Sequence, residues 1–232
     1  MKRAMPRVAN VSAKLALAAL LVHAAAFSAL PQYQHKGMGW RLALYPVALV
    51  LVPAVSSLRR RSPYAAGSYP HSLDLCVVLP FLLDTAGNAA DLYDTVTWFD
   101  DVMHIATWIP LVTAFGLLLQ PRQLGGVVTT GLTIGFGAVT HVAWEIAEYL
   151  TFVAESPTES ASAYHDTIGD LAASLTGSIL GAGLVTTLAR RRRSAPTTTR
   201  TTGRERRIDR PPHSCNDGAS PLGTTVRAWN AR

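Results

Sequence analysis

The chain has 232 residues, of which 49% are hydrophobic and only 16% are charged. Soluble domains carry about 25% charged residues, and here the charges cluster between long apolar runs. The composition therefore argues against an ordinary soluble domain, including a soluble bundle with six buried core helices, and favours helices that cross a membrane.

Six apolar runs approach the length that a bilayer core requires, about 20 mostly apolar residues per helix. The first follows four basic residues and is too long for the core of a cleaved signal peptide, so we interpret it as a retained signal anchor. We predict an all-α, polytopic membrane helix bundle of about six transmembrane helices over residues 1–189. The runs lie at about residues 13–30, 41–58, 73–92, 102–120, 125–150 and 167–189.

The formal net charge of +6 arises in the last part of the chain. From Arg190 onward there are 11 basic and 3 acidic residues, which leaves 10 basic and 12 acidic residues before it. Residues 190–232 are rich in Thr, Arg, Pro and Ser, and they bury too little apolar surface to offset chain entropy. We therefore predict a disordered, basic cytoplasmic tail that contacts anionic lipid and binds no specific nucleic acid.

Lys and Arg mark alternate connections between the apolar runs. Arginines at 59–61 follow the second run, Arg122 follows the fourth, and four arginines open the tail, whereas the third and fifth loops have none. Because basic loops stay in the cytoplasm, both termini are predicted to be cytoplasmic and residues 91–104, DLYDTVTWFDDVMH, to face outward. Lys36 and Arg41 in the first loop are a mild exception. Asp94 and Asp100 are then acidic residues of a translocated loop.

Each of the last four predicted helices also carries a polar stripe in its outer half. An aspartate at mid-membrane costs about 2.5–3.5 kcal/mol on insertion scales. No Lys or Arg lies in that half of these helices, so we expect the acids to be protonated, hydrated or bound to a cation. The stripes are Asp84, Asn88 and Asp91 on the third helix, Asp101 and His104 on the fourth, His141, Glu145 and Glu148 on the fifth, and Asp166 and Asp170 on the sixth.

Two imidazoles and several carboxylates favour Zn, Mn or Fe over a metal that prefers thiolates, with Mg and Ca left open. We expect a cluster on one outer cavity, in which His104, His141 and Glu145 point toward a common centre. The alternative is a hydrated vestibule with helix caps, which suits Asp94 and Asp166 equally well. The predicted metal ligands are His104, His141, Glu145, Asp84, Asp91 and Asp101, and the predicted catalytic carboxylates are Glu148 and Asp170.

Small residues at four-residue spacing predict close helix packing. The sixth run has Ala173, Gly177 and Gly181, and the fifth has Gly131 and Gly135.

The patterns D…N..DLYD…FDD..H, H..WEI.EY and DTIGDL resemble the YjdF-like predicted inner-membrane proteins of bacteria over about residues 70–185. The most specific pieces are WEIAEY and DTIGDL. The family's W-E element corresponds to Trp144 and Glu145, and its DT-x-x-D element to Asp166, Thr167 and Asp170. The resemblance implies a multi-pass protein of the bacterial cytoplasmic membrane and says little about a reaction.

Three classes of function stay open at this point. The favoured one is a divalent-metal-dependent enzyme on a lipid-linked substrate, in which a carboxylate activates metal-bound water. The second is a proton- or cation-coupled transporter, although few polar residues continue inward below Asp84 and His141. The third is a non-catalytic membrane subunit whose polar cluster fixes helix packing. The sequence indicates no oligomeric state.

Overall fold

The structure is a computed structural model that describes residues 4–34, 36–60, 68–150 and 157–194. Within these ranges the regular elements are all helical, and they form a single unit. Most of the predicted basic tail lies outside the described residues. The helices are α1 (Ala4–Ala26), α2 (Met38–Leu44), α3 (Pro46–Arg60), α4 (His71–Ala89), α5 (Leu92–Thr95), α6 (Phe99–Leu119), α7 (Gly126–Glu148) and α8 (Pro157–Ser194).

Six stretches of the described chain are long and apolar enough to cross a membrane. The second combines α2 and α3, and the first begins at Met5 rather than near residue 13. The predicted all-α membrane bundle with six spans is confirmed. The spans are Met5–Ala26, Met38–Arg59, His71–Ala89, Phe99–Arg122, Gly126–Glu148 and Ala163–Arg191.

Large apolar side chains cover the outside of the bundle. Leu15, Val127 and Val139 are 67%, 88% and 71% exposed. A water-facing surface rarely presents so many apolar side chains together, whereas hydrocarbon accepts them.

The helix α6 lies at the centre, packed against α4, α7 and α8, while α1 packs mainly against α4. Two glycines permit the close approach of α8 to α6. A Cβ on Gly177 would lie 2.6 Å from the carbonyl oxygen of Ile105, and one on Gly181 would lie 2.8 Å from that of Ile109. The predicted packing role of these glycines is confirmed.

The same prediction is wrong for α7. A Cβ on Gly131 or Gly135 would meet nothing within 4 Å in the described chain. Within the described residues these two glycines therefore make no close helix contact, so their spacing alone did not identify the packed face.

At the end of the bundle opposite the polar stripes, a buried ion pair joins α1 to α4. Asp74 is fully buried, and its Oδ2 lies 2.7 Å from Lys14 Nζ and accepts hydrogen bonds from Asn10 and Tyr69. These contacts neutralise the one acid that the sequence places near the predicted cytoplasmic side.

Candidate metal centre and cavity

A cavity of about 360 Å³ opens at the end of the bundle where α4 and α7 finish and where α2, α6 and α8 begin. All four polar stripes reach this end, because successive spans run in opposite directions. The charged and amide side chains that line the cavity are Lys36, Arg41, Asp84, Asn88, Asp100, Glu145, Glu148 and Asp166, together with His104.

One group of metal-binding side chains combines His104 of α6 with His141 and Glu145 of α7. One donor atom from each lies within 4.8 Å of the other two. His141 and Glu145 are one turn apart on the same helix face, and Nε2 of His141 lies 2.8 Å from Oε1 of Glu145. Both imidazoles are buried. Two histidines and a glutamate form a ligand set found in catalytic zinc sites, where a fourth position stays open for water.

Trp108 holds the two imidazoles in place. Its indole N–H donates to the carbonyl oxygen of Gly137 at 3.1 Å, which ties α6 to α7. The ring of His104 stacks on the indole at a centroid distance of 5.6 Å, and the ring of His141 meets it edge-on at 4.8 Å. The orientation of both histidines therefore depends on one buried aromatic side chain.

A second group shares His104 and adds Asp100 and Asp170. Nε2 of His104 lies 3.4 Å from Asp170 and 3.6 Å from Asp100, while its Nδ1 lies 3.1 Å from the hydroxyl oxygen of Ser174. One donor atom from each of the three residues again lies within 4.8 Å of the others. A single imidazole belongs to both groups, and both carboxylates approach its Nε2, so Ser174 at Nδ1 is the partner that can orient the ring when Nε2 binds a metal.

Asp84 has partners that the sequence analysis did not foresee. Its Oδ2 lies 3.0 Å from Arg41 Nε and accepts the hydroxyl of Tyr45 at 2.7 Å, and its Oδ1 accepts the hydroxyl of Tyr93 at 3.0 Å. Burial, and then the nearby Asp84 carboxylate, raise the pKa of Tyr93 far above its usual value, so this hydroxyl remains a donor. The expectation that nothing basic neutralises the outer acids is wrong for Asp84, because α2 begins at Met38 and brings Arg41 into the cavity.

Two other predicted ligands lie away from both groups. Asp91 forms the turn before α5 with a φ of 58°, a left-handed conformation that aspartate tolerates better than most residues. Asp101 is exposed, and its carboxylate faces Gly169 of α8. Neither residue lines the described cavity. Of the two predicted catalytic residues, Glu148 lines the cavity. Asp170 does not line it but lies 3.4 Å from Nε2 of His104.

Sequence reasoning missed Asp100, which it assigned to an ordinary loop. Asp100 lies in the first turn of α6, lines the cavity and belongs to the second group. A usable signal was present, because Asp100 and His104 are four residues apart and therefore share a helix face. For Arg41 the usable signal was that a basic residue lies beside a loop predicted to face outward, where Lys and Arg are uncommon.

These features define a multi-pass helical membrane protein with a histidine and carboxylate cluster on a cavity at one end. Residues 13–191 match the family described as "Predicted membrane protein (DUF2238)", and the chain belongs to this family. The match covers most of the first span and all of the next five, and it ends where the basic tail begins. This match confirms the expected membership of a YjdF-like family, as a family of predicted membrane proteins. No curated protein and no solved structure gives a significant match.

Proposed function

We propose that this protein is a divalent-metal-dependent enzyme of the bacterial cytoplasmic membrane that acts on a lipid-linked substrate. The metal ligands are His104, His141 and Glu145. The observation that carries the proposal is that one donor atom from each of the three lies within 4.8 Å of the other two, with His104 and Glu145 on the wall of a cavity.

A purely structural role accounts for this arrangement less well. A hydrogen bond between His141 and Glu145 would suffice to pair those two residues, yet His104 approaches from another helix with its ring centroid 5.3 Å from that of His141. Ionisable side chains inside spans are costly, and they usually mark a site. Two imidazoles with one carboxylate favour Zn, Mn or Fe.

The cavity also offers a carboxylate for acid–base chemistry. When bound, a divalent ion acidifies a coordinated water molecule and polarises the bond under attack. Glu148 lines the same cavity and interacts electrostatically with Glu145. In the proposed reaction Glu148 takes the proton from water, the water oxygen forms a bond to the ester or phosphoryl centre, and the leaving oxygen receives that proton as its bond breaks. Ser174, 3.1 Å from Nδ1 of His104, orients that ring, and Asp170 lies 3.4 Å from its Nε2.

A lipid-linked substrate suits the depth of the cavity. Most of the lining residues lie within the candidate spans, and only Lys36, Tyr93 and Tyr149 lie outside them. A substrate that enters such a cavity comes most directly from the lipid headgroup region, at the level of the helix ends.

Metal analysis of purified protein tests the proposal. We expect about one equivalent of transition metal per chain, lost in His141→Ala and kept in His23→Ala. His23 is a matched control because it belongs to α1 and pairs with Tyr33, 2.9 Å away. A folded wild-type protein that takes up no Zn, Mn or Fe would contradict the metal site. A wild-type protein and a His141→Ala variant with equal metal content would place the metal elsewhere.

A further inference from the structure

His104 faces two carboxylates through a single ring nitrogen. Its Nε2 lies 3.4 Å from Oδ1 of Asp170 and 3.6 Å from Oδ1 of Asp100. Its other nitrogen, Nδ1, lies 3.1 Å from the hydroxyl oxygen of Ser174. When Nδ1 carries the proton of the neutral ring and donates it to Ser174, Nε2 presents a lone pair to both carboxylates. Three acceptors then meet at one point, which requires a cation between them.

Asp170 supplies a separate reason for a cation at this point. The residue lies inside the last span, with 5% of its side chain exposed. Among the described residues its carboxylate meets no Lys or Arg and accepts no hydrogen bond, and Nε2 of His104 is the polar atom that it faces. An aspartate inside a span costs about 2.5–3.5 kcal/mol, a cost that a bound cation offsets.

The distances at Nε2 favour a metal ion over a proton. A protonated imidazole that donates to a carboxylate brings nitrogen and oxygen to about 2.7–2.9 Å of each other. Two ligands of a tetrahedral ion, each bonded at about 2.1 Å, lie about 3.4 Å apart. The observed 3.4 and 3.6 Å agree with the second value. One donor atom from each of the three residues also lies within 4.8 Å of the other two.

We propose that a second divalent cation binds between Asp100, His104 and Asp170, beside the metal of the proposed enzyme. The inference rests on the proposed function for the first ion only. Nε2 of His104 binds one ion at a time. When both positions are filled, this nitrogen is a ligand of the second ion, while the first ion keeps His141 and Glu145 and completes its coordination with water from the cavity.

The ligand set and its surroundings define the class of cation. One imidazole and two carboxylates suit Mn, Fe or Zn, and the two negative charges balance one divalent ion. Asp100 and His104 line the cavity, and the side chain of Asp100 is 43% exposed, so an ion can enter from the cavity. Two neighbouring ions stabilise both the attacking and the leaving oxygen of a displacement, which suits the hydrolysis proposed above.

Titration with Mn²⁺ counts the occupied positions. Full-length protein in mild detergent is freed of metal with a chelator and titrated, while free Mn²⁺ is measured by electron paramagnetic resonance. We expect about two bound equivalents per chain. The tighter one accounts for the single equivalent expected in protein as purified.

Three asparagine variants locate the second ion. Asp170→Asn keeps the shape of the side chain and should lose one of the two equivalents. Asp100→Asn should do the same, and it decides if Asp170→Asn does not fold, because Asp100 is more exposed. Asp101→Asn is the matched control and should keep both, since Asp101 is an exposed neighbour on the same helix that belongs to neither group. Two equivalents in all three variants would overturn the inference.

The variant His141→Ala separates this inference from the proposed function. One equivalent that His141→Ala loses and Asp170→Asn keeps means that the second ion does not bind and that the proposed function stands. One equivalent that Asp170→Asn loses and His141→Ala keeps means that the second group is the metal site and that the proposed ligand set fails. Folded wild-type protein that binds no Mn²⁺ overturns this inference, whereas the proposed function fails only if Zn and Fe are absent as well.

Discussion

The guanidinium of Arg41 lies 3.0 Å from the carboxylate of Asp84, within the cavity and between helices of two different spans. Both side chains are nearly buried, with 11% and 12% of their surface exposed. The pair neutralises Asp84, which belongs to neither group of candidate metal ligands.

Loss of the Arg41 charge should destabilise the bundle markedly. Arg41→Met keeps much of the side-chain volume but leaves Asp84 without its cation, and removing one partner of a buried pair costs about 3–5 kcal/mol. The free energy of unfolding is measured by titrating purified protein from mild detergent into dodecyl sulfate.

The pair between Lys36 and Asp94 serves as the control, because it is more exposed. Lys36→Ala should cost less than about 1 kcal/mol. Equal losses for Arg41→Met and Lys36→Ala would show that the Arg41–Asp84 pair is not a structural element of the cavity.

Gly181 should be intolerant of a methyl group, whereas Gly183 should accept one. A Cβ at Gly181 would meet the carbonyl oxygen of Ile109 at 2.8 Å, and a Cβ at Gly183 would meet nothing within 4 Å. Overpacking typically costs about 1–3 kcal/mol, whereas alanine at an open helix position is neutral or stabilises by up to about 1 kcal/mol. Thermal unfolding midpoints of the two alanine variants test this. A Gly181→Ala midpoint equal to that of Gly183→Ala would refute the packing of α8 on α6.

Trp108 should control metal affinity without binding the metal. Trp108→Phe removes the hydrogen bond to Gly137 and reduces the aromatic surface that contacts both imidazoles. Loss of such a supporting residue typically lowers metal affinity by about 10–100-fold. Affinity is measured by competition with a chelating dye, and Trp40→Phe is the control because Trp40 is 62% exposed. Unchanged affinity in Trp108→Phe would mean that the indole does not orient the ligands.

Orientation in the membrane remains a prediction from the basic loops. Reporter fusions at Thr97 and after Arg193 should show the loop outside and the chain end inside. Activity of a periplasmic reporter fused after Arg193 would contradict the proposed topology. If the whole bundle is inverted, the cavity lies on the opposite face of the membrane.

Local patterns in the sequence predicted much of the fold. Apolar runs of sufficient length gave the six spans, because the bilayer fixes how long a spanning helix must be. The spacing of His141 and Glu145 by four residues predicted that they share a face, and their side chains are 2.8 Å apart.

The composition of the candidate site was harder to predict, since it depends on how each helix is rotated and where it begins. Asp91 and Asp101 follow the same spacing rules as the ligands, yet one lies in a turn and the other on an exposed face. The pairing of Arg41 with Asp84 joins residues 43 positions apart, and no local pattern encodes such a contact. Asp100 was assigned to a loop because its helix begins at Phe99, three residues before the apolar run.

X-ray absorption at the metal edge tests the central claim most directly. Purified protein should show a first shell of nitrogen and oxygen at about 2.0–2.2 Å, with the outer-shell scattering of two imidazoles. The His104→Ala and His141→Ala variants should each lose one imidazole or the metal itself. A shell made only of oxygen, without imidazole scattering, would contradict the assignment of His104, His141 and Glu145 as the metal centre.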